Sequence, residues 1–293
     1  MPWLIPRSLS PEADRSLSHF IGSLAEQIDD PGVDRNVLVR DTLAQVMHGQ
    51  SYQELSERSP MAAFGLEPRN ITFEAEHYIA TDQDRFQLVK PLLWLWKSLD
   101  LSPLGQSIES GVRIREMLAQ RIFKRAGKKL KIFQNVEVSV GYNIEAGDNV
   151  TIHRYVFIDD IGGVVLHNDA SLSDYANIYS HTHDVHEAPD VTLKQTVIGK
   201  GVRVAYHATV LAGTILSDDS MVGAMGLANK DLAPHAVGLG IPAKPRLFKC
   251  RFGDSNFAKL EVDARNFEST PDIRANPDYQ GKTPTQVLGK PCS

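Results

Sequence analysis

From Val140 onward the apolar residues of this chain return every six positions. The stretch divides as VGYNIE, AGDNVT, IHRYVF, an eight-residue unit IDDIGGVV, then LHNDAS, LSDYAN and IYSHTH; after an interruption it resumes as IGKGVR, VAYHAT, VLAGTI, LSDDSM and VGAMGL. The units open on Val140, Ala146, Ile152, Ile158, Leu166, Leu172, Ile178, Ile198, Val204, Val210, Leu216 and Val222. Four residues after most of these stands a small or β-branched residue, such as Val150, Val156, Ala170, Ala176, Val202 or Ala208, and Gly, Asn and Asp fill the spaces between. A period of six fits neither the alternation of a strand nor the 3.6 of a helix. It describes a triangular coil in which each hexad is one short flat strand plus a corner, three hexads make a turn, and the anchor side chains stack inside. Gly, Asn and Asp are the residues that tolerate positive φ at such corners. Twelve units with one internal grammar exclude coincidence.

Before about residue 127 the period is helical. Ile114, Met117, Leu118, Ile122 and Phe123 recur at three- and four-residue steps, with Gly127 as the expected C-cap. Val39, Leu43, Val46 and Met47 do the same over 33–50, with Gly49 as the stop, while Pro60, Pro68 and Pro91 are expected to break the remainder. The expected class is α+β: a helical region over 1–130, a β-helix over 131–250 and a C-terminal extension over 251–293. At 293 residues the chain can carry two cores. A net charge of -5 gives no reason to expect nucleic acid. Cys250 and Cys292, the only cysteines, make neither a disulfide framework nor a zinc spacing, which points to a reducing cytoplasm. The start lacks a signal peptide's basic and apolar regions, and FQLVKPLLWLWKSL, the most apolar stretch, is too short to span a bilayer.

The repeat breaks twice. One break is the eight-residue unit with Asp159 and Asp160; the other is residues 179–197, where NIYSHTHDVHEAPD places His181, His183 and His186 in what reads as a polar loop. Such a loop can hold a metal, handle protons near neutrality or be merely solvated. Excursions from a rigid solenoid are where binding and chemistry are built. No G-x-S-x-G elbow or activated cysteine is present, which favours direct transfer over a covalent enzyme intermediate if the chemistry is group transfer.

The hexads, together with NKDLAPHAVGLGIPAKPRLFK at 229–249, resemble the hexapeptide-repeat acyltransferases, among them the galactoside and maltose acetyltransferases. The resemblance covers roughly residues 135–250 and implies a left-handed parallel β-helix, against the usual right-handed crossover preference. It implies acyl transfer from acetyl-CoA to a hydroxyl of a sugar or glycan. On that resemblance a gapless count from Leu166 brings Thr182-His183-Asp184-Val185 onto the family's base motif, with Asp184 replacing a proline, so His183 is the implied general base. His181 is expected to orient the loop and His186 to face solvent. Asp159 and Asp160 fall beside the family's acidic pair, shifted by one residue, and His153 stands where an acceptor-binding asparagine is found; these, with His181, are the expected acceptor contacts. The cofactor's pantetheine arm is expected beside Ala212, Gly213, Ala224 and Gly226, and its phosphoadenosine near Lys230, Lys244 and Arg246. A homotrimer with sites between neighbours is implied as well, and no metal.

Other functions stay open on sequence alone. Serine acetyltransferases also place helices before the coil and have an eight-residue unit, but theirs carries Asp-His where Asp159-Asp160 stands here. A non-catalytic trimeric scaffold is a third reading. The hexapeptide carbonic anhydrases would match His183 and His207, but Ala212 occupies the place of their third histidine. The helical front is expected to serve assembly or acceptor choice and not the chemical step. The basic run RIFKRAGKKLK at 121–131 reads as a solvated helix end, with an anionic membrane or glycan as the lesser alternative.

Overall fold

The computed structural model describes residues 8–186 and 191–249. Pro189, Cys250, Cys292 and the extension over 251–293 lie outside the described residues. Two compact units divide the chain, residues 1–72 with 90–118, and residues 73–89 with 119 onward.

Helices make up the first unit. Pro11–Asp29 opens on a Ser10 cap and buries Leu17, Leu24 and Ile28. Arg35–His48 ends on Gly49 at φ 65°, the left-handed cap its sequence position calls for, and buries Leu38, Val39, Leu43 and Ala44. Short helices follow at Tyr52–Arg58, with a Ser51–Glu54 capping box, and at Pro60–Leu66. Pro91 does not break its segment as expected: it lies inside the helix Gln83–Leu99, which continues through it. Helices Pro103–Gln106 and Ile108–Ile122 complete the set. Gly127 is not the C-cap of the last helix, which stops at Ile122; its N–H instead bonds Ala146 across the first coil.

The second unit is the coil. Its first face stacks Arg125–Ala126, Ile144–Ala146, Val164–Leu166, Thr196–Ile198 and Ile215–Leu216 in parallel. The second stacks Lys131–Ile132, Thr151–Ile152, Ser171–Leu172, Arg203–Val204, Met221–Val222 and Ala236–Leu239, the last also pairing antiparallel with Lys244–Phe248. The third stacks Glu137–Val138, Phe157–Ile158, Asn177–Ile178, Thr209–Val210 and Leu227–Ala228. All twelve opening residues of the hexads are buried to 1% exposure or less, so the six-residue period does mark the interior.

Three columns of corners join the faces, and all three use positive φ. Between the first and second faces stand Lys129, Asn149, Asp169, Gly201, Asp219 and His235; between the second and third, Asn135, Tyr155, Tyr175, His207 and Met225; between the third and first, Gly141, Gly163 and Gly213. Side chains tie the first column together: Asn168 Oδ1 accepts the Asp148 N–H at 2.8 Å, and Asn149 Nδ2 donates to Asp169 at 2.7 Å. In the second column the left-handed conformation costs bulky residues about 1–2 kcal/mol each. Ring stacking worth about 0.5–1.5 kcal/mol per pair offsets much of that. Tyr155, Tyr175 and His207 lie nearly parallel with centroids 4.8 and 4.7 Å apart.

Replacing Ile178, the anchor where the chain leaves the coil, by Ala should destabilise the protein by about 2–5 kcal/mol, the usual cost of a cavity in a closed core. A lowered urea midpoint for the coil unit is the measurement; an unchanged one would show that the interior relaxes around the gap.

Candidate active site

Both breaks in the repeat fall on the third corner, one coil apart. The histidine segment is not the irregular loop its composition suggests. His181–His183 pairs antiparallel with Val191–Leu193, forming a two-stranded ribbon off the coil. The ribbon's foot is closed by Lys194 N–H donating to Ser180 O at 2.8 Å and by Gly162 N–H donating to Ser180 Oγ at 2.8 Å. Gly162 allows this approach because a Cβ there would lie 2.0 Å from Ser180 O.

Asp159 and Asp160, expected as acceptor contacts, turn inward and are buried. The two carboxylates take up backbone N–H groups of the coil before and the coil after. Asp160 accepts from Val140 N at 2.9 Å and Asn143 N at 3.2 Å. Asp159 Oδ2 accepts from Ser180 N at 3.0 Å, His181 N at 3.1 Å and His181 Nδ1 at 2.6 Å. Ser139 Oγ stands 3.3 Å from its other oxygen.

The imidazole beside a buried carboxylate is therefore His181, one pleat before the implied base. Its ring is mostly covered. The Tyr78 ring lies 6.1 Å away and the His183 ring 5.3 Å away, edge to face. His183 and His186 are exposed, and Asp184 accepts the His186 N–H. Tyr78 comes from residues 73–89, anchored on the coil by Asp82 N donating to Tyr142 Oη at 2.9 Å and by Arg85 over the Tyr142 ring at 4.4 Å. Its hydrogen bond to Glu74, above all, raises the Tyr78 pKa.

The remaining expected residues separate by corner. Ala212, Gly213 and Lys230 follow third-face strands and share the corner of the ribbon. The Lys194 stem lies against Gly213, within 3.1 Å of where a Cβ would be. Ala224 and Gly226 flank Met225 on the second corner instead, and Lys244 and Arg246 lie exposed on Lys244–Phe248 beside the second face. His153 also belongs to the second face, where it stacks on Phe133 at 4.9 Å and burial pulls its pKa down. The coil therefore does not bring His153 to Asp159 and His181 within one chain. His207, the second ligand of the carbonic-anhydrase reading, stacks on Tyr175 at the second corner, apart from the ribbon that carries His183. Among the described residues no group of three or more His, Cys, Asp or Glu is placed to hold a metal, and no helix is long and apolar enough to cross a membrane.

No family model matches the chain. Galactoside O-acetyltransferase of Escherichia coli is 25% identical over 144 residues, 48% of this chain and 71% of that protein. The dTDP-4-amino-4,6-dideoxy-D-glucose acyltransferase of Escherichia coli is 26% identical over 155 residues, 42% of this chain and 81% of that one. A maltose O-acetyltransferase of Clostridium difficile superposes with a TM-score of 0.50 at 21% identity, covering 59% of this chain and 96% of that structure. A hexapeptide-repeat acetyltransferase of Vibrio cholerae, solved with acetyl coenzyme A, gives 0.50 at 18% identity over 62% of this chain and 97% of its own. The chain thus resembles the hexapeptide-repeat acyltransferases in sequence, and the coil that follows its helices has their left-handed parallel β-helix fold.

Asp160 sets a pH signature for this corner. Burial, partly offset by its backbone donors, raises its pKa from 3.8 to about 6. The folded protein then holds a proton that the unfolded chain has released. Stability from this group is complete below the unfolded value and is lost as pH rises through 6, a span worth about 3 kcal/mol. Urea unfolding from pH 3.5 to 8 should show that loss in the wild type and not in Asp160→Asn; parallel profiles would contradict it.

Proposed function

We propose that the protein transfers an acetyl group from acetyl-CoA to a hydroxyl of a sugar or glycan. The observation that carries the reading is a histidine, His181, held by a buried carboxylate, with the His183 ring 5.3 Å from it, on the same corner as the small residues Ala212 and Gly213. The names of the relatives, galactoside O-acetyltransferase and an amino-sugar acyltransferase, support the substrate class. Ala212 and Gly213 present little bulk on the coil, which suits a thin pantetheine chain, and Lys230 on the following coil offers a cation to its phosphates. Ala224, Gly226, Lys244 and Arg246 join that groove only if it continues around to the second corner or a neighbouring chain supplies them.

The chemistry asks for one proton transfer and one displacement. A ribbon imidazole takes the acceptor's hydroxyl proton as the oxygen attacks the thioester carbon. Backbone N–H groups at the corner stabilise the tetrahedral oxyanion. The C–S bond then breaks, and the coenzyme A thiolate leaves with the proton carried by the imidazolium. The family position makes His183 that base; the geometry favours His181. Tyr78 beside His181 supports a part for residues 73–89 in shaping the acceptor site. The cytoplasm is the proposed compartment.

The protein assembles as a homotrimer in this reading. Tyr155, Tyr175 and Tyr206 are exposed together on the second corner, and Tyr175 stacks on both Tyr155 and His207, which leaves its edge for another chain. A head-to-tail contact through such a surface that closes into a three-membered ring avoids open-ended growth. A trimer also offers a way for His153 of one copy to approach the ribbon of another.

Incubating the protein with acetyl-CoA and a panel of sugars, amino sugars, oligosaccharides and serine should release thiol with a sugar acceptor. Release only with serine would replace the acceptor class, and none with any acceptor would return the scaffold reading. Light scattering should give three chains for the wild type and one for Tyr175→Glu; a fully active monomer would refute the trimer.

A further inference from the structure

We propose that His181, positioned by Asp159, is the catalytic base, and that His183 is not; this rests on the acyl-transfer reading above. Asp159 grips His181 twice. The same oxygen that accepts the ring Nδ1–H accepts the backbone N–H of His181 and of Ser180. Backbone and imidazole are thus fixed to a single buried atom, and the carboxylate is itself fixed by the corner.

The tautomer follows. Asp159 Oδ2 already accepts two backbone N–H groups, so it is an acceptor toward the ring as well. Nδ1 must therefore carry hydrogen, which leaves the lone pair on Nε2. That is the arrangement a general base needs: a third group holds the ring and sets which nitrogen takes the proton. In the reaction Nε2 removes the acceptor hydroxyl proton, the oxygen forms its bond to the acyl carbon, and the C–S bond breaks. The proton on Nε2 then passes to the departing thiolate, so the ring ends as it began. The Asp159 oxygen on Nδ1 faces the imidazolium that forms transiently.

His183 lies on the same side of the ribbon strand, two residues on, but is exposed where His181 is mostly covered. Its ring meets the His181 ring at 86°. A place at the rim, against the acceptor or the ring of His181, fits it better than proton removal.

The test compares His181→Ala, His183→Ala and Asp159→Asn in the full-length protein. His181→Ala should lower kcat by about 10²–10⁴-fold, with added imidazole restoring part of the rate and coenzyme A affinity unchanged by calorimetry. His183→Ala should cost less than about tenfold in kcat, a loss too small for a positioned base. Asp159→Asn should lower kcat with little change in KM. Nitrogen-15 spectra of the wild-type imidazoles at pH 8 should show His181 protonated at Nδ1 only, a pattern lost in Asp159→Asn even if that variant is less stable. A hundredfold loss in His183→Ala with a mild effect in His181→Ala would overturn the assignment, as would Nε2 protonation of His181. A wild type that neither binds coenzyme A nor consumes its thioester would sink the acyl-transfer reading instead, a result separable from either of these.

Discussion

The strand backbone of each coil is satisfied by the coils above and below it. Thr151 N–H goes to Ala170 O, Phe157 N–H to Ala176 O and Asn177 N–H to Ala208 O, so every turn depends on equivalent positions in the next. The constraint forces side chains at matching places into columns. Interiors fill with Ile, Val and Leu, and corners collect residues with positive φ. The aromatic column of Tyr155, Tyr175 and His207 is one result, and the Asn149–Asp169 bond is another.

An insertion disturbs this economy because its N–H groups have no partner at the matching position. The third corner has two insertions in successive coils. Asp159 and Asp160 supply the acceptors that the stacked backbone cannot, reaching Val140, Asn143, Ser180 and His181. Burying carboxylates is costly unless they are saturated with donors. Saturation of Asp159 here includes an imidazole, so the repair of the fold and the orientation of a candidate base are one interaction. Asp160 carries the residual cost as its raised pKa.

The coil was legible because its period is local: each hexad repeats a rule readable within six residues, and all twelve anchors lie inside as expected. The helix Arg35–His48 and its Gly49 cap were legible for the same reason. The third corner was less so. Asp159 and His181 are 22 residues apart and meet because one coil stacks on the next across an eight-residue unit, an offset no local period states. Nothing in Tyr78's surroundings in sequence marks it as a neighbour of His181; its position depends on the Asp82 and Arg85 contacts to Tyr142. The ribbon was hidden by polar composition, since His181–His183 has no apolar face to bury and its strands are held by each other. Pro91 inside its helix is a case of tertiary burial overriding a local breaker, with Leu92, Leu93 and Leu95 all buried beside it.

Two histidines two residues apart on one strand are equivalent to any argument from composition or from gapless counting. Burial separates them: the His181 ring is mostly covered and His183 is exposed. An imidazole whose Nδ1 and backbone share a buried carboxylate oxygen is ordered by folding, and ordering that precedes binding does not subtract from the rate. The energy that fixes it comes from the coil's need to satisfy Ser180 and His181 at the foot of the ribbon, so orientation is present before any ligand arrives. In a solenoid, whose coils are otherwise interchangeable, this is how a single corner becomes chemically different from the rest: an insertion creates unsatisfied donors, a carboxylate is drawn in to meet them, and the next coil's side chain is captured by it.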